Sequence, residues 1–306
     1  LCTQPRYGKG TRMAFTDRQV ERLVRALEAK AGEYRDEVHL PGAEDALGLA
    51  RASLDRGATA LESLRARLLS PEAGLRWILG TGTFSWQRGE RYYARIHRAF
   101  TALDQESGRL AAVLARTSAA ENIWLVFQAA CREARMDPFE RRTRPLIAGF
   151  AAMAREHCPM SLAPWLAERL DSRGGADRCF LRLRHIYGVG PKIASFILSE
   201  TAWVFGVEDR VPLGERFLLQ PIDTWVRRTV VALWPDLSVP GAPDLLVAKR
   251  IAETCTRLGV SGVEFNHGAW YFGSREVRKG DMQAALSRLL EAVSYTHLRA
   301  HETVLD

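Results

Sequence analysis

One stretch constrains this chain more than any other: His185-Ile186-Tyr187-Gly188-Val189-Gly190-Pro191-Lys192-Ile193-Ala194-Ser195-Phe196-Ile197-Leu198. Leu181, Leu183 and Ile186 carry an apolar helical pattern into Gly188-Val189-Gly190. There, two residues without a Cβ permit a tight reversal and let a partner come close to the backbone. Pro191 suits a first helical position, because its missing amide would have had no partner there, and Ile193, Ala194, Phe196 and Ile197 then give an apolar face. The pattern predicts helix, tight turn, helix. Open amides at the start of the second helix, reinforced by its dipole, make a phosphate site that needs no positive side chain. Such a site suits a nucleic-acid backbone.

Two plainer readings compete with this one. Gly188-Val189-Gly190 lacks the third glycine of a dinucleotide fingerprint and the Gly-Lys-Ser/Thr ending of a P-loop, and the residues before it read as helix rather than strand. An ordinary interhelical turn stays open on this segment alone.

The second informative segment is Pro221-Ile222-Asp223-Thr224-Trp225-Val226-Arg227-Arg228. Together the two segments resemble the helix-hairpin-helix DNA glycosylases of the endonuclease III superfamily, whose hairpin reads Leu-Pro-Gly-Val-Gly-x-Lys-x-Ala and whose later segment reads Val-Asp-Thr-His-Val-x-Arg. Gly188, Gly190, Lys192 and Ala194 fall on the first pattern, and Asp223, Thr224, Val226 and Arg228 on the second. The resemblance covers about residues 120 to 230. It departs from the pattern where Tyr187 replaces proline, where Trp225 replaces histidine, and in a Lys192 to Asp223 spacing of 31 positions. That spacing is longer than the endonuclease III type and closer to the 8-oxoguanine branches.

By this resemblance Lys192 is the nucleophile and Asp223 the invariant aspartate of a glycosylase with lyase activity. Gly188, Val189, Gly190 and Ile193 would hold the DNA backbone, and hairpin carbonyls in relatives can hold a monovalent cation. The chemistry asks for these residue types. A glycosidic bond breaks through a sugar cation, which a fixed carboxylate stabilises as the charge develops. A neutral amine captures C1′ as a Schiff base and permits β-elimination; a helix N-terminus in a partly desolvated cleft favours that neutral form. The plain alternative is that Lys192 binds a phosphate and Asp223 caps the helix that starts at Thr224. Both roles of Asp223 are compatible.

Most of the chain reads as helix. Apolar residues recur at helical spacing in 61–69, 92–103, 123–134, 145–154, 162–170, 245–258 and 282–293, with breaks at Pro41-Gly42, Gly80-Thr81-Gly82, Asp137-Pro138, Gly174-Gly175 and Pro240-Gly241. An all-α fold follows. The resemblance implies two helical domains with the active site in the cleft between them: a helical barrel at 118–205 holding the hairpin, and a second domain in which 13–117 packs with 206–292. Residues 1–12 read as an upstream extension before Met13. Residues 293–306 resemble a translated sequencing adapter, so both ends are set aside from the fold argument.

Arginine and lysine total 43 against 36 acidic residues, a net charge of +7, which favours a polyanionic partner without naming it. Cys2, Cys131, Cys158, Cys179 and Cys255 form no C-x-x-C pair, which argues against a disulfide framework or zinc knuckle. Only Cys255 follows Asp223, so the iron–sulfur cluster of many endonuclease III relatives is not expected, nor is a catalytic metal or other cofactor. No signal peptide or membrane-spanning run is apparent. The expected setting is cytoplasmic and nucleoid-associated, as a monomer acting on double-stranded DNA with a damaged base.

A glycosylase flips its target base out of the stack, which calls for a gap-filling side chain and a pocket. Gln128 matches a glutamine at the cleft mouth in relatives, and Trp225, His267 and Trp270 are pocket candidates. The run Asn266 to Gly273 reads as a loop or helix end because of its two glycines and mixed polarity. For each candidate a plainer role competes: surface glutamine, core tryptophan, satisfied structural histidine. Trp77, Trp124, Trp165 and Trp234 read as core. The function expected is removal of an oxidised base, 8-oxoguanine first and an oxidised pyrimidine second. The alternative is a helix-hairpin-helix DNA-binding protein without catalysis.

Overall fold

The computed structural model describes residues 14–84, 98, 101–102, 119–157, 160–239 and 242–302, and every regular element among them is helical. Helix α1 (Asp17–Ala29) starts at a capping box: the Thr16 hydroxyl accepts from the Gln19 amide at 3.3 Å, and the Gln19 side chain accepts from the Thr16 amide at 2.9 Å. Its apolar stripe, Val20, Leu23, Val24 and Leu27, is buried. Then come α2 (Ala31–Tyr34), a π-helical segment Arg35–His39, α3 (Leu40–Leu47), α4 (Ala60–Leu68) and α5 (Pro71–Phe84). The next described helices are α6 (Ala119–Glu133), α7 (Glu140–His157), α8 (Leu162–Leu170), α9 (Gly175–Arg184) and α10 (Pro191–Phe205). The chain continues through α11 (Thr224–Leu233), α12 (Asp244–Leu258), α13 (Gly262–Tyr271), a π-helical segment Phe272–Val277, and α14 (Met282–Glu302).

Two apolar clusters form. One gathers α2 to α10 around Trp77, Trp124, Phe127 and Phe150, each at most 2% exposed. The other joins α1 to α11, α12, α13 and α14 around Leu23, Val230, Ile251 and Phe265. Residues 40–79 pack with the central helices, whereas α1 joins the second cluster and α2 also packs against α13. The wide apolar faces of α3 to α5 complete the cluster around Trp124 and Phe150.

Several expected breaks are helical instead. Gly80 to Thr83 lie inside α5, and Pro41 occupies the first turn of α3, where its missing amide costs nothing. The helix expected over 92–103 lies largely outside the described residues. The run Asn266 to Gly273 is not a loop: it belongs to α13 and the π-helical segment after it, with Asn266 and His267 each 2% exposed. A Cβ on Gly268 would lie 1.7 Å from the Leu27 carbonyl oxygen, so this glycine serves close helix packing against α1 rather than a turn. Trp77, Trp124 and Trp165 are core, whereas Trp234 is only partly buried, against the second cluster.

Candidate active site

Helices α9 and α10 meet at the glycine turn. Gly188 has φ +90°, a conformation that suits glycine, and the Val189 amide donates to the Ile186 carbonyl at 3.0 Å. The turn is seated by α7, because Gly149 leaves room for Ile186, whose Cγ2 would lie 2.5 Å from an added Cβ. Gly190 has another reason to be glycine. Its φ is −79°, and nothing among the described residues lies within 4 Å of a Cβ placed there, so it leaves backbone open to an approaching partner. Among the described residues, no side chain caps the start of α10. Val189 and Ile193 are buried beneath, Leu181 is half exposed rather than part of the apolar face, and Tyr187 stands 64% exposed at the tip. His185 turns back to its own helix, with Nδ1 2.7 Å from the Leu181 carbonyl oxygen.

Lys192 lies half-buried in the first turn of α10. Asp223 is the N-cap of α11: its Oδ1 accepts from the amides of Trp225 at 2.9 Å and Val226 at 2.8 Å. Burial raises the Asp223 carboxyl above its ordinary value. The Val226 amide, the nearby Lys192 charge, the Trp225 amide and a hydrogen bond from the Trp270 side chain offset this only in part. The fold thus brings Lys192, Asp223 and Trp270 together from three separate helices.

The long segment between Lys192 and Asp223 locks these helices together. Glu215 accepts from the amides of Gly174 (2.7 Å), Ala176 (3.0 Å) and Asp177 (3.2 Å), capping α9. Glu208 does the same for α13, accepting from the Gly262 amide at 2.8 Å, the Val263 amide at 3.1 Å and the Ser261 hydroxyl. Asn266 donates to Gln220 at 3.2 Å and to the Pro221 carbonyl at 3.3 Å, fixing α13 beside the Asp223 segment. Carboxylates at helix N-termini are favoured by both hydrogen bonding and the dipole.

The remaining pocket candidates divide. Trp270 touches Asp223, whereas the Trp225 ring lies under the Arg228 guanidinium, 5.0 Å away, and Arg228 in turn donates to the carbonyls of Arg278 (2.9 Å) and Gly280 (2.8 Å). Gln128 accepts from Arg132 at 2.8 Å on its own helix. His267 lies beside a carboxylate that the sequence reading missed. Its Nε2 is 3.0 Å from Oε1 of Glu200, and Nδ1 of His39 is 2.6 Å from Oε2. The Tyr34 hydroxyl donates to Oε1 at 3.1 Å. Burial alone would raise the Glu200 carboxyl, but the charges and hydrogen bonds of His39 and His267 outweigh it and hold it well below the usual carboxylate range. A readable signal existed: Glu200 is the one charged residue among Ile197, Leu198, Ala202, Trp203 and Val204.

No family model, curated protein or solved structure matches this chain. Among the described residues, no three His, Cys, Asp or Glu side chains gather as a metal site, and no helix is long and apolar enough to cross a membrane. Cys131, Cys179 and Cys255 are buried free thiols, and burial pushes Cys179 up to about 11, away from thiolate chemistry.

Proposed function

We propose that the protein is a base-excision DNA N-glycosylase with β-elimination lyase activity, acting on an oxidised base in double-stranded DNA, with 8-oxoguanine the favoured substrate. The helix-turn-helix of α9 and α10 acts as a helix-hairpin-helix motif, its bare Gly190 backbone and uncapped amides meeting a phosphate. A monovalent cation at the hairpin carbonyls is compatible with this contact, and the chain needs no other cofactor. The active site is a cleft between two helical domains built on the two apolar clusters, and the protein works as a monomer.

The observation that carries this reading is the meeting of Lys192 with Asp223 across 31 positions of sequence. In the reaction the neutral Lys192 amine forms a bond to C1′ while the base departs with the glycosidic electron pair and takes up a proton. The Asp223 carboxylate stabilises the cationic sugar on the way. Its raised proton affinity also suits it to accept the proton that Lys192 sheds. The C1′–O4′ bond then opens, with O4′ taking up a proton, to give the iminium; this acidifies C2′, and loss of the C2′ proton expels the 3′ phosphate.

Borohydride reduction tests the assignment. Wild-type protein should be trapped covalently on abasic or 8-oxoguanine duplex, and Lys192→Gln should abolish trapping while retaining most DNA affinity. Trapping by Lys192→Gln would move the nucleophile elsewhere. The cap role of Asp223 favours a second reading, a DNA-binding protein without catalysis; absence of trapping on every oxidised-base and abasic duplex would select it.

A further inference from the structure

Asp223 takes hydrogen bonds from two amides of its own helix and from the Trp270 indole. The amides are fixed by α11, whereas an indole turns with its side-chain torsions. Trp270 is partly buried and packs against both apolar clusters, so its orientation depends on neighbours beyond α13. One of them is Tyr34 of α2, whose ring meets the indole edge-on at 5.6 Å with 76° between the planes. Tyr34 is itself held from several sides. It stacks on His267 at 4.5 Å and 20°, lies 5.9 Å from the Trp203 ring, and donates its hydroxyl to Oε1 of Glu200 at 3.1 Å. Glu200 and Lys192 belong to the same helix, about two turns apart. A line of contacts therefore runs from the helix of the nucleophile to the carboxylate: Glu200, Tyr34, Trp270, Asp223.

We propose that Tyr34 is a positioning residue for base release: its ring holds the Trp270 indole on Asp223 and ties that donor to α10, which carries Lys192. This rests on the glycosylase reading. An edge-to-face pair sets the tilt of both rings, because the positive edge of one ring seeks the negative face of the other. The ring is the part that works on Trp270, and the hydroxyl anchors its far side to Glu200. With a flexible aliphatic chain in place of the ring, the indole is free to swing off the carboxylate and leave Asp223 with its two amides. That costs rate rather than affinity, because a carboxylate stabilises the sugar cation best when it is already in place as the charge develops.

The test is a double-mutant cycle on single-turnover base release from 8-oxoguanine duplex at saturating enzyme, where affinity does not enter. Tyr34→Met fills the space without a ring. It should slow release about tenfold, as Trp270→Phe does, the scale of one lost hydrogen bond to a charged group. The double variant should be no slower than Trp270→Phe alone, because both changes act through one contact. Tyr34→Phe, which restores the ring, should recover most of the lost rate. Losses that multiply in the double variant, an unchanged rate in Tyr34→Met, or no recovery in Tyr34→Phe would overturn the proposal. Hydrogen exchange at the indoles of the full chain, labelled with 15N-tryptophan, gives a readout that needs no catalysis. The Trp270 signal is the one that vanishes in Trp270→Phe. In Tyr34→Met its exchange should quicken, while the Trp203 indole, which donates to Glu264 at 3.1 Å, keeps its rate. Equal quickening of both indoles is general loosening and overturns the proposal, as does no change at Trp270. Should Tyr34→Met not fold, Tyr34→Phe decides: quickened Trp270 exchange with the ring present overturns the proposal, and retained protection supports it. If wild-type protein releases no base from any duplex, the glycosylase reading fails, and indole exchange alone decides whether Tyr34 holds Trp270.

Discussion

Asp223 is partly buried and Glu200 fully so, and the two carboxylates are joined through Trp270 and Tyr34, yet their surroundings drive them in opposite directions. Asp223 receives two backbone amides, an indole and the nearby Lys192 charge, too little to offset burial, and its proton affinity rises. Glu200 has two imidazoles and a phenol around it, and its proton affinity falls. Burial is common to both; the supply of cationic partners decides the sign. A carboxylate left short of partners is suited to proton transfer, whereas one saturated with them is a fixed charge.

The largest expected effect is on Glu200. Glu200→Ala leaves two buried imidazoles without their counter-charge and should cost about 3–5 kcal/mol in urea unfolding. A loss below about 1 kcal/mol would mean the clamp contributes little, and the contrast with Asp223 would collapse. Asp223→Asn should show the reverse pattern. Asn is an equally good N-cap, so stability should stay within about 1 kcal/mol of wild type, while base release slows by about 100–1000-fold. A large stability loss with unchanged kinetics would make Asp223 a cap only.

Trp270→Phe removes the indole hydrogen bond but keeps an aromatic ring against Tyr34, so base release should slow by about tenfold, the scale of one hydrogen bond to a charged group. The smallest effect is the pH dependence of stability. A raised carboxyl binds more protons folded than unfolded, so the Asp223 contribution should fall as pH rises above 3.8 and be level above its folded range. Glu200 is lowered, so its contribution is full above 4.5 and is lost as pH falls below it. Subtracting the Asp223→Asn stability curve from that of wild type should isolate the first trend; a difference that grows more favourable with rising pH would refute it.

Much of the local structure was legible in the residues. The Gly188 turn, the Pro191 helix start and the Asp223 cap each depend on neighbours a few positions away, and each is found where the local chemistry places it. Misreadings came from glycines and prolines with tertiary roles. Gly268 looked like a break but makes room for the Leu27 backbone, and Pro41 looked like one but starts a helix. The site was half legible. His267 and Trp270 stood out as a polar and aromatic pair, while Tyr34, His39 and Glu200 carry meaning only once folding brings α2, α10 and α13 together.

By itself the sequence determined the all-helical class, the turn ahead of Lys192 and the cap at Asp223, because helical periodicity, glycine torsions and capping act over one or two turns. Only the tertiary structure decided that Asp223 gains proton affinity and Glu200 loses it, that the stretch between Lys192 and Asp223 caps α9 and α13 with Glu215 and Glu208, and that α3 to α5 join the central cluster. Those outcomes depend on desolvation and on partners far away in sequence, and neither is set until the helices pack.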